Sequence, residues 1–230
     1  FTAGPPASNF LLDTFLQLFY PLLLSMGALF IALVCSYEQR KNTVNFMRIT
    51  PQKPSAIMWH KISVMMLILS GFLIIGTSGI FIFAALKGGV GNFDYPIFFL
   101  DSKEAIHQTT ILSYLLLLFF STLLFFFLLT LIGYLLQSIS TPFLLIFFIL
   151  ELSIFPLALG GMSDFIPVMI ARILPTNYWD FPRLILGYNP WGSAAISFEK
   201  GIFFMILSIM LLFILNLVVM KNKTQQTISR

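Results

Sequence analysis

The sequence predicts an all-α polytopic membrane protein, with five transmembrane helices in this chain and six in the parent protein. Of its 230 residues, 58% are hydrophobic and only 10% are charged, whereas a soluble domain has about 25% charged residues. A soluble domain of this length could not hide so much apolar surface from water. The composition therefore excludes an ordinary soluble enzyme, a disordered chain and a collagen-like repeat.

Five apolar segments are long enough to cross the roughly 30 Å hydrocarbon layer, which takes about 20 residues of helix. They are rich in Leu, Ile and Phe and lack the alternation of barrel strands. Because lipid offers no partners to backbone amides, we expect helices. Pro21 and Pro156 should kink or break the spans that contain them. The predicted spans cover residues 12–35, 62–86, 110–136, 142–160 and 201–220, within one transmembrane domain over 1–230.

The distribution of Lys and Arg predicts the orientation of these spans. Segment 36–61 has five basic residues and one acid, and the residues after 220 have three basic residues and no acid. The loops 87–109 and 161–200 have no such excess. Because basic residues accumulate in cytoplasmic loops, segment 36–61 and the C-terminus should be cytoplasmic and the other two loops outside. Residues 137–141 then form a tight cytoplasmic turn.

This orientation leaves residues 1–11 outside the membrane. The chain begins with Phe1 rather than Met, so we expect a preceding helix whose own N-terminus is cytoplasmic, which gives six spans in the parent protein. The alternative is a protein of five spans whose N-terminus reached the outside after removal of a signal peptide.

The sequence lacks the common motifs of nucleotide-binding proteins and of hydrolases. It has neither the glycine-rich loops that bind nucleotide phosphates nor the His-Glu-x-x-His and Gly-x-Ser-x-Gly patterns of hydrolases. Cys35 is the single cysteine, and His60 and His107 should lie on opposite sides of the membrane. We therefore expect neither a bound nucleotide nor a metal site in this chain.

The segment between the first two predicted spans has a distinctive pattern of charges. It begins with an acid, continues as a short amphipathic stretch with basic residues around an apolar side, and is stopped by two prolines. On charge alone it is typical of an interfacial helix held by anionic lipid headgroups. The residues concerned are Glu38, Arg40, Lys41, Val44, Met47, Arg48, Pro51, Pro54 and Lys61.

This pattern resembles the permease subunits of type-2 ABC exporters, in particular those that protect bacteria from lantibiotics and other bacteriocins. In that family an acid closes one span, a Thr follows five residues later, and a hydrophobic patch, a Pro and a Lys at the start of the next span complete the pattern. Where the family usually has an Arg shortly after the Pro, this chain has Lys53 and Pro54. The matching residues are Glu38, Thr43, Phe46, Met47, Pro51 and Lys61.

The resemblance implies a coupling helix over residues 39–50 that rests in a groove of a separate ATPase subunit, braced by Glu38. It also implies a non-catalytic permease in the bacterial plasma membrane, paired with a second copy or a sister permease, with ATP and Mg on the ATPase and no nucleic-acid partner. The expected substrates are amphipathic antimicrobial peptides; drugs, lipids or polysaccharide remain alternatives. The implied coupling residues are Glu38, Arg40, Lys41, Thr43, Phe46, Met47, Arg48 and Pro51.

The resemblance extends to an outer, partly helical segment before the last span. Residues 163–186 contain apolar residues at helical spacing, then Pro175, then the interfacial aromatics Tyr178 and Trp179. The family implies a re-entrant segment here. An amphipathic helix lying on the outer leaflet would have the same pattern.

Two acids within predicted spans are candidates for the substrate path. Glu151 falls near the middle of the fourth span, where an ionised carboxylate costs at least about 2.5–3.5 kcal/mol. It could bind a proton or a cationic group, or it could serve packing alone. Asp13 lies at the outer end of its span, within reach of water. A proton-coupled secondary transporter that uses Glu151 is the alternative function, although the spans show no inverted repeat.

Overall fold

The computed structural model describes residues 6–16, 19–40, 54–100, 106–139, 142–158, 178, 180–187 and 196–228. These residues are mostly helical, which confirms the helical class. The helices are α1 (Ala7–Leu16), α2 (Phe19–Arg40), α3 (Pro54–Gly88), α4 (Ile111–Ser138), α5 (Phe143–Ala158), α6 (Phe181–Leu184) and α7 (Phe198–Ile228), and the two strands are β1 (Pro96–Leu100) and β2 (Ile106–Thr110).

Among the described residues, four helices are long and apolar enough to cross a bilayer, so the chain is a membrane protein. Their apolar parts are Phe19–Tyr37, Ser55–Gly88, Ile111–Ser138 and Phe198–Met220. The fourth predicted span, 142–160, forms the apolar helix α5. Its 16 described residues extend about 24 Å at 1.5 Å per residue, and residues 159 and 160 of the predicted span lie outside the described residues.

The structure describes the first predicted span, 12–35, in two parts, and residues 17 and 18 lie outside the described residues. Helix α1 ends at Leu16 and α2 begins at Phe19. Pro21 lies in the first turn of α2, where the amide hydrogen that a proline lacks would have no partner within the helix. Helix α1 packs mainly against α3.

Helix α4 is the centre of the bundle and packs against α2, α3, α5 and α7. Two glycines allow close approach: Gly27 of α2 faces the ring of Phe126, and a Cβ added at Gly133 would lie 2.7 Å from Ile31 Cγ2 and 4.0 Å from Leu150 Cδ1. Helices α2, α4 and α5 therefore meet at Gly133, where no larger residue fits without displacement.

A β-hairpin lies inside the predicted loop 87–109, where the sequence indicated no strands. Strands β1 and β2 are antiparallel, with Pro96 opposite Thr110. Thr110 also caps α4 by accepting a hydrogen bond from the Ser113 amide at 3.2 Å. We call the end of the bundle with α1, this hairpin and α6 the hairpin end. The opposite end contains the end of α2 and the start of α3.

Candidate functional site

The predicted coupling segment lies almost entirely outside the described residues. Glu38 and Arg40 fall in the last turn of α2, and α3 begins at Pro54. Lys41, Thr43, Phe46, Met47, Arg48 and Pro51 lie outside the part of the chain that the structure describes. The coupling role of these residues therefore stays a prediction.

Helix α3 is anchored near the opposite end by aromatic and basic side chains. Lys61 Nζ lies 5.7 Å from the ring centroid of Tyr134 on α4, and the ring of Trp59 lies 5.2 Å from that of Phe213 on α7. Trp, Tyr and Lys at one level are typical of the interface between hydrocarbon and headgroups. The first turns of α3 thus contact α4 and α7 at the same level of the bundle.

Glu151 forms the polar contact between α5 and α2. Ser25 Oγ donates a hydrogen bond to Glu151 Oε2 at 3.1 Å. Glu151 Oε1 is buried and has no hydrogen-bond partner within the described ranges. A buried acceptor without a partner costs free energy. This oxygen is therefore available to a proton, a ligand or an ordered water.

Asp13 has a different environment from Glu151. It lies on α1 with its side chain exposed, toward the hairpin end. No hydrogen bond or ion pair is seen for its carboxylate among the described residues. Its position agrees with the prediction of an acid that reaches water, while its role in a substrate path stays a prediction.

The described part of the predicted re-entrant segment is packed into the hairpin end. Tyr178 is 2% exposed and Phe181 is fully buried. Tyr114 Oη donates to the Pro182 carbonyl at 3.2 Å, and a Cβ at Gly201 would lie 2.8 Å from the Tyr178 carbonyl oxygen. Residues 178 and 180–187 thus contact both α4 and α7, whereas the amphipathic stretch before Pro175 lies outside the described residues.

A charged pair lies at the start of α6. Arg183 Nη1 is 3.4 Å from Asp180 Oδ2. Burial raises the pKa of the Asp180 carboxyl, and the Arg183 guanidinium opposes that shift. This pair is a feature of the hairpin end that the sequence did not indicate.

Two further polar side chains were missed by the sequence reasoning. Asn216 of α7 is 1% exposed, and its Nδ2 donates to the Leu131 carbonyl on α4 at 3.1 Å and to the Leu212 carbonyl at 2.9 Å. Tyr20 Oη is buried without a partner among the described atoms. Asn216 could have been noticed, because an amide in an otherwise apolar span is expensive unless it is bonded.

Comparisons with family models, with curated proteins and with solved structures found no match to this chain. Within the described ranges, no three His, Cys, Asp or Glu side chains are grouped as metal ligands would be. Among the described residues, the bundle of apolar helices contains the Glu151 carboxyl, with one oxygen bonded to Ser25 and the other without a partner. In the sequence, a basic segment connects α2 and α3 at the opposite end.

Proposed function

We propose that this chain is the transmembrane subunit of an ATP-driven ABC exporter, powered by a separate ATPase subunit that holds ATP and Mg. The proposal rests on one observation, the acid-to-proline-to-lysine pattern between α2 and α3 that runs from Glu38 through Pro51 to Lys61. The proposed orientation puts this pattern in the cytoplasm of a bacterial cell, with residues 1–11 outside.

The described helices support this proposal without reaching the segment itself. Helix α2 ends at Arg40 and α3 begins at Pro54, so residues 41–53 connect two antiparallel helices at one end of the bundle. Helix α7 ends at the same end and contains Lys221 and Lys223 there. The concentration of basic residues in the sequence at that end is what the positive-inside bias of a cytoplasmic face requires.

In the proposed mechanism the coupling segment transmits closure of the ATPase dimer to the membrane helices. A push on residues 41–53 acts on α2 and α3, because these residues connect the two helices in the chain. Helix α2 packs against α5 and α4, so its movement changes the Ser25–Glu151 contact. If each nucleotide state of the ATPase binds one arrangement of the helices more tightly, ATP binding and hydrolysis shift the equilibrium between the two arrangements.

Amphipathic antimicrobial peptides are the proposed substrates, with drugs, lipids or polysaccharide as alternatives within the same architecture. The long apolar faces and short connections favour a substrate that reaches the protein from the membrane. A second permease copy or a sister permease completes the proposed dimer.

Affinity purification from native membranes, followed by mass spectrometry and an ATPase assay, tests the proposal. We expect the intact protein to bring down an ATPase with a phosphate-binding loop. Reversing the charges of Arg40 and Lys41 to Glu should remove that ATPase, because the contact lies on this segment. Stable, inserted protein that never recovers an ATPase would contradict the proposal.

Lys221 and Lys223 provide the matched control. Reversing both to Glu changes the net charge by the same amount at the same end of the bundle, but it leaves the coupling segment intact. The ATPase should still be recovered with this variant. Equal loss from both variants would indicate an effect of overall charge or insertion rather than a contact on residues 39–50.

A proton-coupled secondary transporter is the second candidate, favoured by the unpartnered Oε1 of Glu151. Here Glu151 would take up and release the coupled proton. Transport in vesicles driven by a pH gradient without ATP, abolished by Glu151→Gln, would establish this function. Transport that needs ATP and ignores the gradient would exclude it.

A further inference from the structure

We propose that a cleft between α1, α3 and α4 holds one acyl chain of a membrane lipid. The cleft has a volume of about 270 Å³, near the lower end of the range for small-molecule sites. Its floor is made by buried side chains from all three helices, including Leu11, Phe15, Leu73 and Leu118. It is a different place from the Ser25–Glu151 contact.

The mouth of the cleft lies on the lipid-facing surface. Leu112 and Leu116 of α4 line it and are 46% and 49% exposed, and Ser78 of α3 lies exposed on the facing helix. Both helices are long enough to span a bilayer. Because their exposed faces meet hydrocarbon, a lipid chain can enter sideways without passing through water.

The chemistry of the lining favours pure hydrocarbon. No charged side chain occurs among the described lining residues. The hydroxyl of Thr122 donates to the Leu118 carbonyl at 2.7 Å, and that of Thr77 donates to the Leu73 carbonyl. These two hydroxyls are already bonded within their own helices. A peptide would bring backbone amides that need partners here, whereas an acyl chain brings none.

The cleft is shorter than one leaflet. Along α3 its lining runs from Phe81 to Leu73, about 12 Å at 1.5 Å per residue. This is less than half of the roughly 30 Å hydrocarbon core. Toward the hairpin end the cleft is bounded by Phe93, whose ring centroid lies 5.6 Å from that of Phe81. Leu73 on the floor lies about 21 Å along α3 from Lys87, so a chain from the leaflet at the hairpin end reaches the floor near the midplane.

Photochemical labelling in nanodiscs tests this site. The full chain is reconstituted in phosphatidylglycerol and phosphatidylcholine containing a phosphatidylcholine with a diazirine in its acyl chain. Labelled residues are then mapped by mass spectrometry. We expect residues 112–119 to be labelled more strongly than Leu207 of α7, which is 51% exposed to lipid but outside the cleft. Labelling no stronger than at Leu207 would overturn the proposal.

Filling the cleft gives the second arm of the test. Ser78→Phe should lower labelling of residues 112–119 about tenfold, the change expected when about 1.4 kcal/mol of binding is lost. Leu112→Trp serves if the first variant does not fold. The control is Ile75→Phe on the same helix, at a position 73% exposed and outside the lining, which should leave labelling unchanged.

The remaining outcomes also decide the question. Labelling that persists in both filled variants would overturn the site. A diazirine-bearing amphipathic Leu–Lys peptide that labels residues 112–119 and displaces the lipid label would assign the cleft to peptide instead. Labelling that falls only in the filled variants, with no displacement by the peptide, supports a lipid chain.

Discussion

Glu151 and Asn216 each join two helices through a polar side chain inside the apolar bundle, yet their surroundings differ. Asn216 is buried and gives its amide hydrogens to two backbone carbonyls, one of them across the α4–α7 contact. Glu151 is half-buried and accepts one hydrogen bond from Ser25 across the α2–α5 contact. Its second oxygen has no partner among the described atoms.

The difference separates a structural polar residue from a functional candidate. The donors of Asn216 are satisfied by the fold, so the benefit of the residue is the stability of the α4–α7 contact. Part of the hydrogen-bonding capacity of Glu151 is unused, which costs stability. An unused acceptor inside a membrane helix indicates a role outside folding. The two residues should therefore respond to substitution in opposite ways.

The largest loss of stability is expected at Gly133, where α2, α4 and α5 meet. Gly133→Ile should lower the free energy of unfolding by about 1–3 kcal/mol, because the new side chain overlaps Ile31. Denaturation in mixed micelles followed by circular dichroism measures the change. The control is Gly79→Ile on α3, where no atom lies within 4 Å. Similar losses in both variants would show that the packing at Gly133 is not special.

Asn216→Leu is expected to cost about 0.6–1.7 kcal/mol, the measured range of hydrogen bonds between membrane helices. The same unfolding experiment measures this loss of stability. Ser208→Ala on the same helix is the control, because the Ser208 hydroxyl donates only to its own helix, to the Phe204 carbonyl at 2.8 Å. If Asn216→Leu is as stable as Ser208→Ala, the α4–α7 hydrogen bond does not stabilise the bundle.

Glu151→Leu should leave stability unchanged or raise it, because the substitution removes a buried acceptor without a partner. Glu151→Gln, which keeps an acceptor for Ser25, should change stability by less than about 0.5 kcal/mol. Both variants should lower transport measured in vesicles. If the Glu151 variants lose as much stability as Asn216→Leu and transport normally, Glu151 is a structural residue and does not differ from Asn216 in role.

The smallest effect is expected at Asp180. Burial raises its pKa in the folded state, so its contribution to stability is present below its unfolded pKa of about 3.9 and is lost as the pH rises through the folded pKa. Asp180→Asn should remove this part of the pH dependence. Arg183→Gln should extend the loss to higher pH, because the opposing guanidinium is gone. An unchanged pH profile of unfolding in both variants would contradict the assignment.

Composition and length were sufficient to predict the helical membrane class, because lipid allows few other structures. The position of Glu151 also followed from the sequence, since a carboxylate in an apolar run is conspicuous. The hairpin at Pro96–Leu100 and Ile106–Thr110 did not, because each strand is only five residues long. The bond of Ser25 to Glu151 depends on contact between helices far apart in sequence, which no local pattern reveals.

Site-specific photocrosslinking at Phe46 tests the central claim, that residues 39–50 contact an ATPase. A photoreactive phenylalanine analogue replaces Phe46 in the full chain in native membranes, and Phe148, 64% exposed within α5, serves as the control position. We expect a crosslink from position 46 to an ATPase with a phosphate-binding loop and none from position 148. A protein that inserts normally but forms no such crosslink at position 46 would contradict it.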